Sequence, residues 1–256
     1  MIQVAFDWNC IIDLEEDHPV APILRQIQTW YDLGKIALCI SSTIRLENPQ
    51  NHDALVIDES EWASKLHSVG LGAIELRSSS PRAFLAPDGS NLFDDSLEQL
   101  VMREIHTILF PNIDFSYYDY CRRMNVEPYT PRGFINLSEA HRAANGERRR
   151  VTKKWNNAKC DALSLYAYST WAGPDDLFVT SDKNFHEKKE QLLQPFRMQR
   201  RVLAPLPGYV GTFQEAVELT EQVQTVVISG AICGHIMTPR EAVEYLWMQL
   251  GGEDSQ

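Results

Sequence analysis

With 256 residues, 44% of them hydrophobic and 10% aromatic, the chain has room for one large or two small domains around a proper core. Its formal charge of −11 excludes a surface uniformly coated with cations for duplex DNA, because non-specific affinity comes largely from Lys and Arg on phosphates. The cysteines, Cys10, Cys39, Cys121, Cys160 and Cys233, are dispersed and lack a Cys-x-x-Cys pair, which excludes a disulfide framework or zinc knuckle and points to a reducing cytoplasm.

In chain order, residues 2–6 read as a buried strand ending at Asp7, and 22–33 as a helix with Ile23, Leu24, Ile27, Trp30 and Tyr31 at helical spacing. Residues 36–40 form the next apolar strand, so the first forty residues have the length of a parallel βαβ unit. After Ser41 the spacing predicts a short helix that presents Glu47 near the strand's end. A short strand over 54–57, a helix over 60–69 and a strand over 73–76 follow.

Residues 92–110 give an amphipathic helix stopped by Pro111, and the aromatic, proline-containing stretch 112–131 reads as a loop-rich segment over the cleft. Residues 138–144 are expected to be helical. The only strong basic segment, His141 to Cys160, has seven Lys or Arg against one Glu. A helix is expected from about residue 156 or 159 to the break at Gly173-Pro174, with Asp161 at its start. Then come a strand over 177–181 that leads to Asp182, a polar helix over 187–193, a short strand over 201–203 and a helix over 212–223. The tail, 221–256, contains a helix opened by Thr238-Pro239 and is expected to serve packing, self-association or contact with a protein partner. The apolar stretch 226–237 is interrupted by Ser229, Gly230 and His235, and no basic leader precedes Asp7, so neither membrane spanning nor secretion is expected.

The expected fold class is α/β, three layers with a mostly parallel central sheet. Asp7, Glu47, Asp161 and Asp182 would then gather at the C-terminal edge of that sheet, where open α/β sheets bind ligands. Gathered carboxylates repel one another unless cations neutralise them or some hold protons. Hard oxygen donors select Mg²⁺ or Mn²⁺, which activate water against a phosphodiester.

Four pieces in this order resemble the PIN-like nuclease domain: Phe6-Asp7-Trp8-Asn9, Ser41 with Glu47, Asp161-Ala162-Leu163 on a helix, and Val179-Thr180-Ser181-Asp182. The resemblance covers roughly residues 1–60 and 150–220. It implies a PIN-like domain over 1–220 with an insertion at 61–150, and a metal-dependent nuclease acting on RNA. It also implies that Asp7, Glu47, Asp161 and Asp182 are catalytic metal ligands, with Asn9 and Thr180 as their polar neighbours. Asp53, Asp58 and Asp119 are alternatives to Glu47.

The basic segment supplies candidate phosphate contacts in Arg148, Arg149, Arg150, Lys153, Lys154 and Lys159, and Trp155 is a candidate stacking platform for an unpaired base. The histidines show no zinc spacing, and no nucleophile elbow, P-loop or dinucleotide fingerprint is present. Two rival readings share the strand-ending aspartates. A haloacid-dehalogenase-like phosphohydrolase would use Asp7, Ser41, Lys159 and Asp182, but Asn9 stands where its second acid belongs. A PIN-like fold without activity would serve as an RNA-binding or assembly module.

Overall fold

A computed structural model describes residues 1–41, 59–77, 97–128, 146–205, 219–228 and 232–250. In chain order the first half contains β1 (Gln3–Phe6), α1 (Trp8–Glu15), α2 (Ala21–Asp32), β2 (Ala37–Ser41), α3 (Glu59–Ser68), β3 (Glu75–Arg77), α4 (Leu97–Leu109) and α5 (Tyr117–Arg123). The second half contains α6 (Gly146–Trp171), β4 (Leu177–Val179), α7 (Lys183–Leu193), β5 (Phe196–Pro205), β6 (Leu219–Ile228), β7 (His235–Met237) and α8 (Pro239–Gln249). Five strands form one parallel sheet in the order β3-β2-β1-β4-β7, which gives the expected α/β class. No helix among the described residues is long and apolar enough to cross a membrane.

The central strands are apolar on both sides because both sheet faces are covered. Alternate residues part company by the pleat: Val4, Phe6, Leu38, Ile40, Leu177 and Val179 join one core with α1, α2, α3 and α8. Ala5, Cys39, Phe178 and Ile236 face a second core with α4, α6 and α7. In α2 the buried stripe is Leu24, Ile27 and Trp30, and such side chains contribute about 1.5–3 kcal/mol each when buried. A smaller cluster joins α5 to the first half of α6 through Tyr120, Cys121, Val151 and Trp155.

The segment 61–150, expected as an insertion, contributes β3, which pairs with β2, and α4, which packs in the second core. In the tail after 220, β7 pairs with β4, and α8 buries Ala242 and Leu246 in the first core. The entry to β7 turns on Gly234, whose φ of +78° and closeness to the Asp176 carbonyl leave no room for a Cβ. Residues 219–228 form a strand, not the end of a helix, paired antiparallel with β5 in a separate ribbon. Their content of β-branched residues, Thr220, Val223, Thr225, Val226, Val227 and Ile228, outweighs the helical spacing read across 212–223. The basic stretch is helical from Gly146, ten residues before the earliest expected start at 156. The expected elements at 42–47, 54–57 and 138–144 lie outside the described residues.

Candidate functional site

The reversal of strand order lies between β1 and β4, and both strands deliver an aspartate just past their C-terminal ends. Asp7 is the N-cap of α1, with its backbone N–H donating to the Val179 carbonyl at 2.9 Å. Asp182 is the N-cap of α7, accepting from the Asn184 N–H at 2.8 Å. A carboxylate at a helix N-terminus satisfies an orphan donor and meets the favourable end of the dipole, so capping accounts for part of both residues. It does not account for Asp161, which sits in the middle of α6.

Asp7 is 2% exposed. One carboxylate oxygen accepts from the Trp8 N–H at 2.9 Å, the other from the Thr180 hydroxyl at 2.7 Å and the Asn9 amide at 3.3 Å. Thr180 also accepts from the Asp182 N–H at 3.0 Å, so one hydroxyl ties the two strand ends together. On the outer side, Ser181 donates to Asp13 at 2.8 Å, and His186 Nε2 pairs with the Thr180 carbonyl at 2.8 Å. Asn9 and Thr180 thus both donate to the same Asp7 oxygen.

Burial pushes the Asp7 carboxyl up to about 6, assisted by the charge of Asp182 and opposed by the bonds from Thr180, Trp8 and Asn9. The Asp161 carboxyl is held well above the ordinary range, first by burial and then by the charges of Asp7 and Asp182. Among the described residues Asp161 has no hydrogen-bond donor and no cationic partner. The three aspartates thus form one electrostatic unit with excess negative charge.

β2 ends at the same sheet edge on buried Ser41, but Glu47 lies outside the described residues, as do Asp53 and Asp58. Asp119 is on α5, paired with Arg122 at 3.4 Å. The donor chemistry of the three aspartates suits a hard divalent cation. Among the described residues, however, no three acidic, histidine or cysteine side chains are gathered into a finished coordination set. A cation held here would draw on Asp161 and Asp182 together with the one Asp7 oxygen that accepts a single hydrogen bond.

A pocket of about 280 Å³ opens beside the acids, lined by Trp8, Asn9, Ile12, Lys153, Asn157, Asp161 and Asp182. Among the described residues, Lys153 is the one cation of the basic segment that reaches it. Arg148 pairs with Glu127 at 3.0 Å and Arg150 with Glu147 at 2.5 Å; Arg149 is partly buried and Lys154 exposed, both away from the pocket. Lys159 turns to the other side of α6, its ammonium 4.8 Å from the Trp155 ring and 5.7 Å from Phe115, where burial lowers its pKa. Two residues along a helix is about 200° of rotation, so Lys159 and Asp161 face apart. Trp155 is 3% exposed, stacks near Tyr117 and donates to the Asp114 carbonyl at 3.0 Å, which removes it as a base platform.

The aromatic residue at the pocket is instead Trp8, whose ring lies under the Lys65 ammonium at 4.9 Å while Lys65 pairs with Glu15 at 2.6 Å. Trp8 and Asn157 were not singled out by sequence reasoning. Counting back from Asp161 in steps of four reaches Asn157 and then Lys153, a signal available once 146–171 is read as one helix.

Comparison with protein-family models, with curated proteins and with solved structures finds no match for this chain.

Proposed function

We propose that the protein is a PIN-like, metal-dependent nuclease that hydrolyses phosphodiester bonds in single-stranded RNA. The observation that carries this reading is the electrostatic coupling of Asp7, Asp161 and Asp182 at the sheet's switch point, with no ion pair to any of the three among the described residues. Burying like-charged carboxylates costs stability, and a divalent cation that cancels the charge offsets that cost. Mg²⁺ or Mn²⁺, when bound, supplies a water of lowered pKa and neutralises charge on the phosphate.

The chain's own contribution is positional. Thr180 and the Trp8 N–H hold the Asp7 carboxylate in one orientation, and the same threonine fixes the turn that carries Asp182. Asp161 faces the pocket without a competing donor among the described residues, leaving its oxygens available. Lys153 adds positive charge to the lining of the same pocket, which draws a phosphate backbone into an otherwise acidic site.

Labelled single-stranded RNA and DNA incubated with Mn²⁺ test the reading. Wild type cleaves, and Asp7→Asn and Asp182→Asn each lose on the order of 10³-fold in rate, equivalent to about 4 kcal/mol of barrier. Cleavage unchanged in both variants refutes the site. An inactive wild type that gives no calorimetric signal with Mn²⁺ supports the binding-module alternative.

A further inference from the structure

Lys153, Asn157 and Asp161 recur every four residues on α6 and all line the same pocket. Eight residues of helix put Lys153 about 12 Å from Asp161 along the axis. Helical side chains lean toward the N-terminus, so the lysine's reach carries its ammonium farther from the acids rather than back over them. The pocket therefore has a polarity, with carboxylates at one end, a cation at the other and an amide between. Among the described residues Lys153 forms no ion pair. Its neighbours in the basic segment are spent on Glu127, on Glu147 or on aromatic rings, or lie outside the pocket.

Building on the nuclease reading, we propose that Lys153 binds the phosphate next to the scissile one, so that a single strand lies along α6 in one register toward the helix N-terminus. Asn157, exposed between the two ends, meets the intervening nucleotide. A single strand fits this geometry better than a duplex. Among the described residues Lys153 is the one cation that lines the pocket, in a chain of net charge −11, which favours one phosphate backbone over two. Lys153 is then a substrate-positioning residue that chooses which linkage reaches the acids.

Binding is read by fluorescence anisotropy with short labelled RNA and DNA single strands of the same sequence, in an Asp161→Asn background that leaves the strand intact. Lys153→Ala weakens binding on the order of tenfold. It also lowers the slope of log affinity against log salt by about 0.7, the share of one phosphate on a single strand. Lys153→Arg restores most of both, and circular dichroism confirms that each variant is folded.

A penalty shared by RNA and DNA supports a phosphate contact, whereas a penalty confined to one overturns it. Strands with a single neutral methylphosphonate, moved one linkage at a time, then locate the contact. One position, adjacent to the linkage that wild type cleaves with Mn²⁺, should erase the loss of affinity caused by Lys153→Ala. A loss that persists at every position overturns the register. Unchanged affinity and salt slope in Lys153→Ala, with wild-type cleavage intact, overturns this inference alone; absence of cleavage in wild type takes the nuclease reading down with it.

Discussion

Two buried aspartates stand at opposite ends of the β1–β4 pair, and their surroundings differ in kind. Asp176, 6% exposed and just before β4, accepts from the Gln3 N–H at 2.8 Å, the Gln3 amide at 3.1 Å and the Gly173 N–H at 2.7 Å. Asp7, just after β1, also receives three donors, yet it faces Asp182 and Asp161 and its carboxyl is raised to about 6. Burial beside a strand is thus no mark of function. Three N–H donors make Asp176 a staple between the N-terminal ends of two strands; the like charges beside Asp7 leave a surplus that a structural role does not require.

The largest expected consequence is in the pH dependence of stability. The folded carboxyl of Asp7 titrates near 6, against an ordinary value of 3.8, so the native state holds its proton more tightly than the unfolded chain. Its contribution is complete below the unfolded value and is lost as pH rises through 4 to 6. A shift of this size corresponds to about 3 kcal/mol. In the metal-free protein, denaturant melts from pH 4 to 7.5 should show wild type losing about that much relative to Asp7→Asn. Saturating Mn²⁺ should flatten the difference. Equal pH profiles for the two proteins without metal would show that the two ends of the sheet are electrostatically alike.

Asp176 should respond in the opposite manner. Asp176→Asn turns an acceptor oxygen into a donor against an N–H, with a loss of about 2 kcal/mol in a denaturant melt. Cleavage per folded molecule should stay near wild type, because Asp176 lies at the far end of the sheet from the pocket. A strong drop in turnover by fully folded Asp176→Asn would break the distinction between staple and site.

How much of this was legible in the sequence follows from the range of the interactions. β1, β2 and β4 are runs of apolar residues buried on both faces, so composition alone revealed them, and the strand-ending positions of Asp7 and Asp182 came with them. Asp161 was legible as a helix residue. Less legible was the start of that helix, expected at about 156 or 159: among seven basic residues in twenty, Val151, Thr152 and Trp155 bury one face and carry the helix back to Gly146. The face assignments of Lys159 and Trp155 failed for the same reason, since helical phase decides which side chain meets the acids. β7 was hidden because three residues, His235-Ile236-Met237, have too little pattern of their own. They become a strand only through β4 beside them and Gly234 before them.

The smallest effect separates charge surplus from ordinary packing. Asp161→Asn keeps the shape of the side chain and removes a carboxyl whose ionisation is opposed by burial and by the charges of Asp7 and Asp182, and no donor among the described residues depends on it. The metal-free protein should therefore gain about 1 kcal/mol in a denaturant melt at pH 7.5, while Asp176→Asn loses stability under the same conditions. The gain should shrink when Mn²⁺ is added, because the wild type then recovers the stability that its carboxylates withhold, and the variant has fewer oxygens with which to do so. A residue whose neutral isostere stabilises the fold but removes catalysis is retained for its chemistry, since packing gives no reason to keep it. Were Asp161→Asn to destabilise the metal-free protein as Asp176→Asn does, Asp161 would be a second staple, and the argument for a cation at the C-terminal edge would fail with it.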